Sequence, residues 1–142
     1  PQATGVLPYL ASGNGVCSEF SVLTNLAVAI YEKAYKFAIR IVNAYKYLTQ
    51  EKKEFILSKQ LIRSGTSIGA NIAEANGAIS PAEFSAKIFI AYKECLETKY
   101  WLSLLKDTGY IDDKAFNSIY ENAEEISKIL FSILKKTRIS NN

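Results

Sequence analysis

Residues 60–77 of this 142-residue chain read QLIRSGTSIGANIAEANG, and one spacing runs through them and the residues just before. Leu57, Leu61, Ser64, Ile68, Ile72 and Ala75 step by three or four, which puts them on a single face of an α-helix. Beside that stripe lie Arg63, Ser67, Asn71 and Glu74, at i, i+4, i+8 and i+11, a second and polar strip. A solvated face usually carries Lys, Glu and Gln at high density. Here the neighbours are small (Gly65, Gly69, Ala70, Ala73), which suits the close approach of another helix. The segment therefore demands a helical partner, and it narrows the architecture far more than the chemistry.

The remaining sequence supplies such partners. With 49% hydrophobic and 22% charged residues, and only seven Gly and three Pro, the chain is one globular domain of long elements and short turns. A first helix is expected over about 24–48, with Leu26, Ile30, Ala34, Phe37, Ile41, Tyr45 and Leu48 as its apolar stripe. Thr49 then reads as the N-cap of a second helix over about 50–76, with Glu51 and Glu54 near its first turn and Asn76-Gly77 as its stop. Ser80-Pro81-Ala82-Glu83 is a capping box with Pro at the first helical position, opening a third helix that runs to about Asp107 and is closed by Gly109.

That third helix carries two apolar stripes. Phe84, Ile88, Ala91, Cys95, Leu102 and Leu105 form one, and Phe89, Tyr92, Leu96 and Tyr100 the other, one more than a bundle core needs and so a candidate subunit interface. A fourth helix starts at Asp112 or Asp113, with Phe116, Ile119, Ala123, Ile126, Leu130 and Ile133 in register. Acidic residues crowd its start, and Lys135, Lys136 and Arg138 its end, as the helix dipole favours. Nothing reads as a strand. The expected fold is an all-α, antiparallel, up-down-up-down four-helix bundle of left-handed twist. It spans residues 23–138, with 1–22 set aside as an irregular leader that need not belong to the domain and 139–142 as a tail.

Several function classes drop out. The chain has no histidine, which removes the commonest general base and the commonest transition-metal ligand together. Its two cysteines, Cys17 and Cys95, make no disulfide framework, and a reducing cytoplasm is the expected setting. The most apolar long segment, 22–41, is interrupted by Glu32, Lys33, Lys36 and Arg40, so no membrane span is expected. Residues 1–22 have no positively charged start of the kind a secretory signal carries. No P-loop, dinucleotide fingerprint or nucleophile elbow is present.

The strings LSKQLIRSGTSIGANIAEANG and ECLETKYWLSLLKDTGYI, joined by a Ser-x-x-Glu-Phe helix start, resemble the four-helix-bundle proteins encoded by intervening sequences of 23S rRNA genes. The likeness spans about residues 26–136, and its most specific parts are Ser67-Ile68-x-x-Asn71-Ile72-Ala73-Glu74, Leu96-Glu97-Thr98 and Gly109-Tyr110. Relatives of the same bundle accompany the reverse transcriptases of diversity-generating retroelements. The resemblance implies a ring-like homo-oligomer, a pentamer, with an RNA or DNA partner and no established catalysis. Two departures stand out. Family members commonly follow the NIAE string with Gly and a basic residue, where this chain has the uncharged Asn76-Gly77-Ala78, and they often pair two Arg where it has Ile62-Arg63.

Formal net charge is +3, a mild basic bias. Lys33, Lys36, Arg40 and Lys46 on the first helix, continued by Lys52 and Lys53, are the candidate phosphate contacts, with Tyr31, Tyr35 and Tyr47 near enough to stack on unpaired bases. The plain alternative is a solvated helix face, and several copies in a ring would strengthen a weak patch. Arg63, Ser67, Asn71 and Glu74, with Glu94 and Glu97 of the third helix, read as a structural polar network that fixes helix register. Read as catalytic or metal-binding carboxylates they lack the Glu-x-x-His partners of a di-metal bundle. No catalytic, cofactor or metal site is expected. The expected function is noncatalytic binding of nucleic acid, RNA first, by a homo-oligomer. The alternative is a ring-shaped scaffold for a partner enzyme such as a reverse transcriptase.

Overall fold

The computed structural model describes residues 17–139, which form four α-helices and, among the described residues, no strand. These are α1 (Cys17–Gln50), α2 (Leu57–Asn76), α3 (Pro81–Asp107) and α4 (Asp113–Ile139). α1 packs on α2 and α4, and α3 packs on the same two, so the helices close around one shared core. That core follows the apolar stripes. Ile30, Ala34, Phe37, Ile41 and Leu48 of α1 meet Leu61, Ile68, Ile72 and Ala75 of α2, with Phe84, Ile88, Cys95, Leu102 and Leu105 from α3 and Ile119, Ile126, Leu130 and Ile133 from α4. Full burial of one such side chain contributes about 1.5–3 kcal/mol. Intrinsic helix propensities differ by at most about 0.7 kcal/mol for ordinary residues. Packing of the stripes therefore decides the fold. Leu26 and Phe116 are only partly buried against this cluster, and Tyr45 is half-buried.

Of the small residues of α2, Gly65 and Gly69 lie against α1, whereas Ala70 and Ala73 are exposed. A Cβ on Gly65 would stand 2.8 Å from both γ-carbons of Ile41, whereas a Cβ on Gly69 would meet atoms of Ala34 at an ordinary 3.7 Å. Close approach thus requires glycine at residue 65 and only tolerates it at 69.

Two helix starts differ from expectation. α1 begins at Cys17, so residues 17–22 belong to its first turns; residues 1–16 and 140–142 lie outside the described residues. α2 begins at Leu57 rather than near residue 50. Thr49 does not cap it, because its Oγ1 donates back to the carbonyls of Tyr45 (2.9 Å) and Lys46 (3.2 Å) at the end of α1. Lys53 then takes the left-handed φ of 55°, uncommon for a residue with a side chain, and the Glu54 N–H reaches back to the Leu48 carbonyl at 2.9 Å.

Glu54 supplies the cap. Its carboxylate accepts the N–H groups of Ile56 (3.0 Å), Leu57 (2.8 Å) and Ser58 (2.7 Å), and its charge sits at the positive end of the helix dipole. Burial alone would raise its pKa, but the three N–H groups more than offset that and hold the carboxyl below its ordinary value.

The other caps follow the sequence more closely. Ser80 Oγ accepts from Glu83 N–H at 3.1 Å, and the Glu83 carboxylate returns to the N–H of Ile79 at 3.0 Å, one residue earlier than in the usual box. Gly109 closes α3 at a φ of 84°. Asp112 caps α4, its Oδ1 accepting from Ala115 N–H at 2.7 Å.

Candidate nucleic-acid interface

The six cations of the expected interface do not form one line. Lys33 and Arg40 turn toward α4. Lys33 pairs with Glu125 at 2.7 Å, and Arg40 donates to Asn122 Oδ1, to Ser118 O at 3.2 Å and to Ser118 Oγ at 2.9 Å. At 3.6 residues per turn, Lys46 lies about 140° around the α1 axis from Lys33. Lys36, Lys46, Lys52 and Lys53 are exposed, and among the described residues none of the four makes an ion pair. The uncompensated charge therefore gathers on the outer side of α1 and at the turn that follows it.

Aromatic rings accompany that charge. Tyr35 and Tyr47 are each 45% exposed. Lys52 Nζ stands 5.9 Å from the centroid of the Tyr47 ring, and Tyr31 lies 6.2 Å from Tyr35, tilted by 32°. Between α1 and α4, near Tyr47 and the C-terminal end of α1, a cavity of about 480 Å³ opens. Leu48, Leu61, Leu102 and Ile119 form its apolar floor, and Arg40, Asn43, Tyr47 and Asp112 bring polar groups to its walls.

The polar strip of α2 is a surface feature. Arg63 pairs with Glu97 and, at 3.4 Å, with Glu94 of α3, while Glu97 also accepts from Trp101 Nε1 at 3.1 Å. Glu74 pairs with Lys87 at 2.6 Å, and that carboxylate raises the Lys87 pKa. Ser67 and Asn71 turn back on their own helix, Ser67 Oγ donating to Arg63 O (2.6 Å) and Asn71 Nδ2 to Ser67 O (2.8 Å). The ends of the strip tie α2 to α3 and its middle does not. Among the described residues no group of three or more Cys, Asp or Glu side chains is placed to hold a metal ion.

A family model described as 23S rRNA-intervening sequence protein matches residues 27–132, most of α1 and all of α2 and α3 with the greater part of α4. The chain belongs to the family of 23S rRNA-intervening sequence proteins. A crystal structure of a protein of unknown function from the S23 ribosomal protein family of Bacteroides thetaiotaomicron VPI-5482 is similar, with 52% identity and a TM-score of 0.76 over 78% of this chain and 98% of that one. No curated protein matches the chain. Among the described residues of this 23S rRNA-intervening sequence protein, no helix is long and apolar enough to cross a membrane.

Helical spacing puts Ser64 on the buried stripe of α2 but does not show what the inward polar groups of this family member meet. Ser64 and Thr98, each at a core position of its stripe, are fully buried and joined by a 3.0 Å hydrogen bond between α2 and α3. Lys99 pairs with Glu124 of α4 and lies 5.4 Å from the Tyr120 ring centroid. Burial works against the Lys99 charge, yet Glu124 and Tyr120 more than offset it and raise its pKa; the hydrogen bond from Lys99 in turn lowers that of Glu124. Cys95 donates its thiol to the Ala123 carbonyl at 3.2 Å, and burial pushes its pKa up to about 12, far from the thiolate a nucleophile needs.

Proposed function

We propose that this protein is a noncatalytic, cytoplasmic nucleic-acid-binding protein whose partner is structured RNA with unpaired bases. The observation that carries the reading is the set of exposed, unpaired lysines Lys36, Lys46, Lys52 and Lys53 beside exposed tyrosines, running from the middle of α1 to the turn that follows it. Cations of this kind neutralise phosphates, and aromatic faces hold bases without demanding a sequence. Membership of a family named for an rRNA intervening sequence supports RNA ahead of DNA. Replacing Lys36, Lys46 and Lys52 together by Glu leaves every ion pair to α4 in place. Binding to single-stranded RNA should fall at least a hundredfold with helicity unchanged. Retention of binding by that variant defeats the assignment.

Oligomerisation is part of the same reading. Three of the four residues in the second stripe of α3 stay exposed on the protomer, Phe89 at 41%, Leu96 at 42% and Tyr100 at 60%, while Tyr92 packs partly against the core; a homo-oligomeric ring, a pentamer, would cover that apolar face. The helices of each protomer run alternately up and down with left-handed twist. The pairings Lys33–Glu125 and Arg40–Ser118 support opposed directions for α1 and α4, and Glu74–Lys87 and Arg63–Glu97 do so for α2 and α3. A scaffold for a partner enzyme such as a reverse transcriptase is the second reading. It is favoured by the exposed Phe131, packed 5.8 Å from Tyr92 beside that stripe, which offers apolar surface to a further protein.

A further inference from the structure

The geometry points to the cavity between α1 and α4 as a pocket for one unpaired guanine base, filled as the RNA backbone crosses Lys46, Lys52 and Lys53 at the C-terminal end of α1. This deepens the proposed RNA binding and rests on it. At about 480 Å³ the cavity lies within the usual range of small-molecule sites. Its floor is apolar, which suits a base face and repels a phosphate. Tyr47 offers a ring at the wall, held beside Lys52 at 5.9 Å, so stacking and phosphate contact sit next to each other.

The polar groups sort by sign. Arg40 is fixed on the wall by Ser118 and Asn122, so its direction is set before anything binds. Asp112 spends only Oδ1, on the cap of α4, and Oδ2 has no hydrogen bond among the described residues. A carboxylate at a cavity wall is a poor neighbour for phosphate and a good acceptor for a base edge with two adjacent N–H donors. Guanine presents that edge through N1–H and N2–H, and among the four RNA bases its Watson–Crick edge alone offers this pair. Asn43, exposed at the mouth, adds an amide that both donates and accepts.

The test uses two short oligoribonucleotides of equal length, one with a central guanosine and one abasic at that position, titrated against the full chain. Wild type should bind the guanosine strand about tenfold tighter. Asp112→Asn keeps a good N-cap residue and should remove most of that difference while leaving abasic binding and its salt dependence alone. Ala115→Trp, on an exposed position of the cavity wall, should do the same by filling the space. Equal wild-type binding of both strands with a steep salt dependence overturns the pocket and leaves the basic surface standing. Equal weakening of both strands by Asp112→Asn also overturns it. Failure of wild type to bind either strand overturns the pocket together with the RNA reading.

Discussion

Two glycines one helical turn apart on α2 should respond to alanine with opposite signs. In both cases alanine gains helix propensity, about 1 kcal/mol in a helix interior. At Gly69 nothing opposes that gain, because the new methyl meets Ala34 at 3.7 Å. Gly69→Ala should therefore stabilise the fold by up to about 1 kcal/mol. At Gly65 the methyl would lie 2.8 Å from Ile41 Cγ1 and Cγ2. Ile41 is fully buried, and a β-branched side chain cannot swing its γ-carbons aside without leaving its rotamer. Overpacking of this kind costs about 1–3 kcal/mol, so after the propensity gain Gly65→Ala should be destabilising by up to about 2 kcal/mol net. Urea unfolding followed by circular dichroism, at one fixed protein concentration because self-association of the kind proposed would shift the midpoint, resolves this. With a slope near 2 kcal/mol/M the two midpoints should separate by about 1 M. If Gly65→Ala stabilises as much as Gly69→Ala, the close approach of α1 and α2 is wrong.

Three further expectations concern single side chains. Glu54→Gln should lower stability by about 1 kcal/mol at pH 7 as a weakened cap. Because the folded pKa of Glu54 lies below its ordinary value, its contribution is complete above the unfolded pKa and lost as pH falls through the folded one. The gap between wild type and variant should then close on acidification below about pH 4.5, and a gap independent of pH would rule out the carboxylate cap. Lys53→Gly should raise thermal stability, since it relieves a left-handed residue, while weakening RNA binding through loss of one cation; improved stability with unchanged affinity would remove Lys53 from the interface. In a Cys17→Ser background, Cys95 should resist a disulfide reagent at pH 8 in the native protein and react fully in denaturant, since burial holds its pKa near 12; rapid native labelling would contradict its packing.

How far the fold can be read from residues depends on what each element uses as its signal. The buried faces of α1, α2, α3 and α4 follow directly from apolar spacing, because Ile30, Ile68, Ile88 and Ile126 had only one way to leave water together. Ser80-Pro81-Ala82-Glu83 is equally plain, since short polar caps and Pro act locally. The turn between α1 and α2 is not legible. Residues 51–56 contain no Gly or Pro, the left-handed position is filled by Lys53, and the cap is a Glu whose reach to three N–H groups depends on the turn that places it. The candidate interface divides in the same way. Exposure of Lys36 and Lys46 follows from helical phase, whereas the engagement of Lys33 and Arg40 with α4 depends on which helix lies beside them. The cavity depends on residues from all four helices at once, so no local pattern announces it.

RNA binding by the intact protein, titrated across salt with its mass followed by light scattering, tests the central claim most directly. Each single-strand phosphate neutralised contributes about −0.7 to the slope of log affinity against log salt. Engagement of Lys36, Lys46, Lys52 and Lys53 by one protomer predicts a slope of about −3, steeper if neighbouring copies contribute, with an oligomer mass that does not change over the titration. Absence of binding at low salt with the oligomer intact, or an affinity that salt does not alter, would contradict a phosphate-binding surface on this fold.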